Sequence, residues 1–175
     1  MLGGVDAASQ RSKPAPTSPV IVFDTVKGTF EIETFESEAP KSVARILDFA
    51  RRGFYRGQRF HYVEASFVQI GDPMSRDVSR ERDWGLGGSG PGGMLRPIGI
   101  AEITSRKFER GIVGLAHRQD DPPERGDCQI FILRSARPFL DGKYAAIGRV
   151  TKGMEVVAKI ERADLVKQVS VRVPQ

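Results

Sequence analysis

The chain is poor in the residues that most often carry covalent or metal chemistry. Its 175 residues include one cysteine, Cys128, and two histidines, His61 and His117. A lone thiol rules out an intrachain disulfide, and two imidazoles with one thiol do not make a Cys/His metal cluster. No apolar run approaches the roughly 20 residues that cross a bilayer, so no membrane partner is expected. Aromatic residues make up only 8%, and Lys and Arg never form a block of five. The formal charge of +5 therefore reads as a solvated basic surface rather than a nucleic-acid-binding patch. Residues 1–19 hold Ser, Ala, Pro, Gln and Gly with almost no large apolar side chain. They read as a disordered tail without the apolar centre of a secretory leader. One thiol suits either redox compartment, which leaves the cytoplasm open beside export with a leader removed.

What is present is an ordinary globular balance, 39% hydrophobic and 28% charged. It is enough for one domain with a real core, placed at residues 20–175. Val20-Ile21-Val22-Phe23 is β-rich, and Thr29–Phe35 alternates apolar and polar after the Lys27-Gly28 turn. This is a hairpin with Phe30 and Ile32 on one face. Pro40 opens a helix to about Arg52, with Val43, Ile46, Leu47 and Ala50 at helical spacing and Gly53 as its stop. Further strands are expected near 59–63, 67–71, 98–103, 111–117, 128–134 and 144–150. A helix is expected over 153–161 and a last strand at Gln168–Val173. Residues 72–97 are Gly-rich and aperiodic. Many short strands with two helices predict a closed antiparallel barrel.

Spacing alone identifies no covalent or metal site. Gly85–Gly90 has the glycines of a phosphate loop, but it lacks the preceding strand, the following helix and a Lys-Ser/Thr pair. Cys128 sits in an apolar strand, where a small buried thiol is the default. His61 lies between Phe60 and Tyr62 and reads as a hydrogen-bonded structural histidine.

Several segments, taken in order, resemble the cyclophilins. Gly53-Phe54-Tyr55-Arg56-Gly57-Gln58-Arg59-Phe60-His61 is similar to their Gly-Phe-Tyr-x-Gly-x-x-Phe-His signature. Gln69-Ile70-Gly71-Asp72-Pro73, Gly87–Gly90, Gly111–Ala116, Gln129–Ile132 and Leu140–Tyr144 with Gly148-Arg149-Val150 resemble later family motifs in the same order. The resemblance implies an eight-stranded antiparallel β-barrel capped by two α-helices, with peptidyl-prolyl cis–trans isomerase activity and no cofactor. Its partners would be proline-containing peptides or unfolded protein chains, bound by a monomer. Carried over by position, Phe67, Leu115, Phe131 and Leu140 would form a proline pocket. Gln69, Ala116, His117 and Gln129 would hold the peptide backbone. Phe139 would stand where the family has Trp or another aromatic, and Tyr144 where many members have His. Simple barrel packing is the alternative for each apolar member, with the groove favoured over the core for Phe131 and Leu115.

The chain departs from the family at one place that bears on catalysis. The residue after Phe60-His61 is normally arginine in the family, and here it is Tyr62. Arg59 lies three residues earlier, on the opposite face of a strand. A phenol is neutral and donates one hydrogen bond, where a guanidinium is charged and offers five. Tyr62 and Gln69 are the expected catalytic pair, and the expected rate is reduced. A proline-binding module without useful turnover is the alternative. Only Val68 separates Phe67 from Gln69, where the family has two residues, so strand alternation puts both on one face. Arg118 or Arg125, in the loop before Cys128, could bring a positive charge toward the groove.

Overall fold

The computed structural model describes residues 16–174. The tail expected at 1–19 falls outside these as far as residue 15, and Pro19 is buried, its carbonyl accepting from Thr34 N and Oγ1. Eight strands follow: β1 (Val20–Thr25), β2 (Gly28–Thr34), β3 (Tyr62–Val63), β4 (Phe67–Ile70), β5 (Ile112–Leu115), β6 (Ile130–Leu133), β7 (Ala146–Lys152) and β8 (Val166–Arg172). The helices are α1 (Pro40–Arg51) and α2 (Met154–Lys159). All pairings are antiparallel, in the order β3-β4-β6-β5-β7-β2-β1-β8. The sheet curls, and an isolated bridge pairs Arg59, ahead of β3, with Leu165, just ahead of β8. Hydrogen bonds from Phe60 N to Asp164 O and from Gly57 N to Val166 O extend that junction.

Period-two alternation gives the sheet two different faces. Val68, Ile70, Val113, Leu115, Ile130, Ile132 and Ile147 point into the main core, with Phe23, Phe30, Tyr55 and Phe60. The helices close over this core: Val43, Ile46, Leu47 and Ala50 of α1 are buried in it, as are Val157 of α2 and Ile160 just beyond. The intervening strand residues Ile112, Phe131, Leu133 and Ala146 face outward and make a second, smaller cluster with Phe108 and Ala116. Phe67, Leu140 and Tyr144 pack partly buried against it.

Two expected strands differ in the structure. Residues 98–103 form no strand, because the start of this stretch pairs with a loop instead. Ile98 N donates to Gly126 O and Gly99 N to Glu124 O. The strand expected at 59–63 is reduced to Tyr62–Val63, since Arg59 and Phe60 pair toward 164–165 rather than with β4.

Candidate functional site

The outward face of β3, β4, β5 and β6 forms the floor of a groove with two lobes. Tyr62, Gln69, Ala116 and His117 border both lobes. The smaller lobe, about 300 Å³, is apolar at its base. Phe131 from β6 stands at its centre, its ring 5.9 Å from that of Phe108 beneath it. Phe67 and Tyr144 meet the Phe131 ring edge-on at 6.4 and 5.3 Å. Leu133, Phe139 and Leu140 complete the walls, and Phe139 is exposed at the rim. Three edge-on or offset ring contacts hold one aromatic in one orientation. The Phe131 ring also lies directly on the backbone of Gly114.

Gln129 is fully occupied. Its Nε2 donates to Gly85 O at 3.1 Å and Gly87 O at 2.8 Å, while its Oε1 accepts from Gln69 Nε2 at 2.8 Å and faces His61 Nε2 at 3.0 Å. Two donors and two lone pairs are all a primary amide has. Its side chain therefore holds the 85–87 loop and aims Gln69, and has no bond left to give a peptide. The same network assigns the His61 proton to Nε2. Burial pulls the His61 pKa below its usual value, which keeps a neutral ring in a structural role. Gln69 spends one donor on Gln129 and keeps its carbonyl oxygen as an acceptor for a ligand.

Tyr62 is about half exposed, and its hydroxyl donates to Glu64 Oε1 at 2.7 Å. That bond, more than any other cause, raises the phenol's pKa. The one proton Tyr62 can donate is thus already committed. His117 stacks flat on Tyr144 at 4.2 Å, with its ring nitrogens facing Arg118 O and Lys143 O.

Of the residues expected at the site, Tyr62, Phe67, Gln69, Ala116, His117, Gln129, Phe131, Phe139, Leu140 and Tyr144 border this groove. Leu115 does not. It is 2% exposed in the main core, because alternation along β5 turns it away from the face that Ala116 shares with Phe131. Arg118 and Arg125 border the wider lobe, where Arg125 faces Asp121 at 3.6 Å. Trp84, Glu64, Leu133 and Arg137 also line the groove and carried no sequence signal, since each lies in a loop or at a strand end where only tertiary approach reveals it. Among the described residues, no group of three or more His, Cys, Asp or Glu could hold a metal ion. No helix among them is long and apolar enough to cross a membrane.

The family described as cyclophilin type peptidyl-prolyl cis-trans isomerase/CLD matches residues 20–174. A probable peptidyl-prolyl cis-trans isomerase of Brucella abortus is 32% identical over 168 residues, covering 95% of this chain and 84% of its own length. The peptidyl-prolyl cis-trans isomerase-like 1 protein of Aspergillus niger is 33% identical over 156 residues, covering 84% of this chain and 82% of its own. A cyclophilin type isomerase of Cryptosporidium parvum, solved in the presence of the dipeptide Ala-Pro, superposes with a TM-score of 0.72 at 24% identity. That match covers 89% of this chain and 99% of the other, and it supports the shared fold.

Proposed function

The chain belongs to the cyclophilin-type peptidyl-prolyl cis–trans isomerase family, and from that premise we propose that its outer groove holds an Xaa-Pro segment and isomerises it slowly. The proline ring would sit in the smaller lobe against Phe131, Phe67 and Leu140. Gln69 would bind the flanking backbone, with the residues on the other side of the bond lying along the wider lobe. Residues 20–175 would act as one folded unit. The junction between 57–60 and 164–166 supports closure of its barrel.

Rotation about an Xaa-Pro bond must overcome a barrier of roughly 18–20 kcal/mol, because amide resonance is lost in the twisted state. No bond is made or broken. The work is therefore to grip the ring, hold one flank, and favour the twisted geometry over either planar one. A donor near the prolyl nitrogen does this by localising its lone pair. In other enzymes, loss of one preorganised donor lowers the rate by about 10²–10³.

The observation that carries the reduced rate is the Tyr62–Glu64 hydrogen bond. Tyr62 occupies the position after Phe60-His61, and its single donor points to a carboxylate rather than to a substrate. The same bond favours a second possibility, capture of proline segments without useful turnover. Turnover and affinity measured on one preparation, with a short Ala-Pro-containing peptide, separate the two. Acceleration weaker than that of an arginine-bearing family member is expected. Binding with no acceleration selects the capture module, and turnover equal to such a member contradicts the role given to Tyr62.

A further inference from the structure

Arg137 reaches the apolar lobe from the loop after β6, at a place where the sequence motifs put no cation. Its guanidinium carbon lies 5.3 Å from the Phe67 ring centroid and 4.9 Å from that of Phe139. It borders the same lobe as Tyr62, Gln69, Phe131 and Leu140. The side chain is one-quarter exposed, so it is partly dehydrated against two aromatic faces, an arrangement that suits arginine better than lysine.

The group is held in position at both ends. Arg137 N donates to Phe108 O at 2.8 Å, and the next residue is Pro138, whose ring fixes the backbone there. At the other end Nη1 donates to Ser66 Oγ at 2.5 Å. The nearest carboxylate is Glu64 at 3.7 Å, itself 42% exposed, a distance and exposure at which an ion pair is weak. Donors on Nε and Nη2 remain. Around the lobe, Tyr62 has given its proton to Glu64 and Gln69 has given one of its own to Gln129. Arg134, the neighbouring arginine, is spent on Val157 O, Ile160 O and Glu64 O. Arg137 is thus the cation at this lobe that still has hydrogens to give.

We propose that Arg137 is a catalytic residue of this isomerase, donating from its guanidinium to the prolyl amide as it twists. The proposal rests on the lobe being the proline site. No atom is transferred: the N–H groups polarise the amide in the twisted state and withdraw as planarity returns. A fixed, charged fork in a partly dehydrated pocket favours that state over the planar ones.

Two-dimensional exchange NMR on an Ala-Pro-containing peptide, with affinity from the same titrations, tests it. Arg137→Gln is expected to lower the catalysed exchange rate at saturation at least tenfold, while the dissociation constant changes less than threefold. Arg137→Lys restores part of the loss. Ser66→Ala, which removes the brace but keeps the guanidinium, lowers the rate less than Arg137→Gln does. Adding Tyr62→Arg to Arg137→Gln brings the rate back, since a guanidinium then returns to the lobe from β3. An Arg137→Gln protein that exchanges the peptide at the parent rate overturns the proposal. If the parent protein binds the peptide without shifting Phe131 or Tyr144 resonances, the assignment of the lobe itself fails, and the proposal with it.

Discussion

Gly114→Ala is a one-methyl test of whether the smaller lobe depends on the placement of Phe131. A Cβ at 114 would stand 2.5 Å from Phe131 Cε1 and 2.9 Å from Cε2, and closer still to Cζ. Carbon atoms pack at about 3.5–4.0 Å, so the ring must shift by roughly 1 Å or more. It cannot sink, because Phe108 lies beneath it at 5.9 Å and Phe67 and Tyr144 abut its edges. The open direction is the lobe. Overpacking of this kind costs about 1–3 kcal/mol. The lost freedom of the unfolded chain returns about 0.4–1 kcal/mol. The net loss is then up to about 2.5 kcal/mol, which urea denaturation resolves, and the domain stays folded. Affinity for an Ala-Pro peptide should fall more than tenfold, about 1.4 kcal/mol or more, because the displaced ring fills the space meant for proline. Unchanged affinity together with unchanged Phe131 ring shifts would show that the lobe is not shaped by this contact.

Three further outcomes follow from other parts of the molecule. Tyr62→Arg should raise the isomerisation rate about tenfold or more, since it replaces a committed phenol by a guanidinium with several donors. A rate equal to or below the parent's argues against the role given to position 62. Cys128 is buried, its thiol donates to Gly71 O at 3.1 Å, and burial pushes its pKa far above the usual thiol value. It should resist a disulfide reagent at pH 8 until the chain is unfolded in denaturant, and rapid labelling of the native protein contradicts that burial. His61 has its pKa held below the usual 6.5 by burial, so the unfolded chain takes up the proton first as the pH drops. Stability should be full above about pH 6.5 and decline below it, by at most about 1.4 kcal/mol per pH unit, until the folded-state pKa is passed. His61→Asn should remove that slope, and a wild-type stability flat from pH 7 to 5 refutes it.

The fold was largely legible because its signals are local. Alternation at Phe30 and Ile32, the 3.6-residue spacing of Val43, Ile46, Leu47 and Ala50, and the glycine stops at 28 and 53 each act within a few residues. Where these signals failed, partners distant in sequence decided. Ile98 and Gly99 have β-like neighbours but hydrogen-bond to the 124–126 loop. Arg59 and Phe60 look like the start of a strand beside β4 and instead pair near Leu165. At the site, motif order brought ten of the expected side chains to one groove. Leu115 went to the core because one-residue alternation along β5 outweighs its neighbourhood in the motif. The saturation of Gln129 depends on the carbonyls of Gly85 and Gly87, which a linear pattern does not orient. Arg137 looked like any charged loop residue until β6 and the Ser66 turn were folded against each other.

Entry of proline into the lobe of Phe67, Phe131 and Leu140, and its turnover there, underlies the proposed function. Its most direct test is an NMR experiment on the unmodified protein with an Ala-Pro-containing peptide, recording exchange between cis and trans signals and contacts between the proline ring and aromatic side chains. Catalysed exchange peaks are expected, together with nuclear Overhauser contacts from proline ring protons to the rings of Phe131 and Phe67. Exchange no faster than in the free peptide, or proline contacts confined to residues outside this lobe, would contradict it.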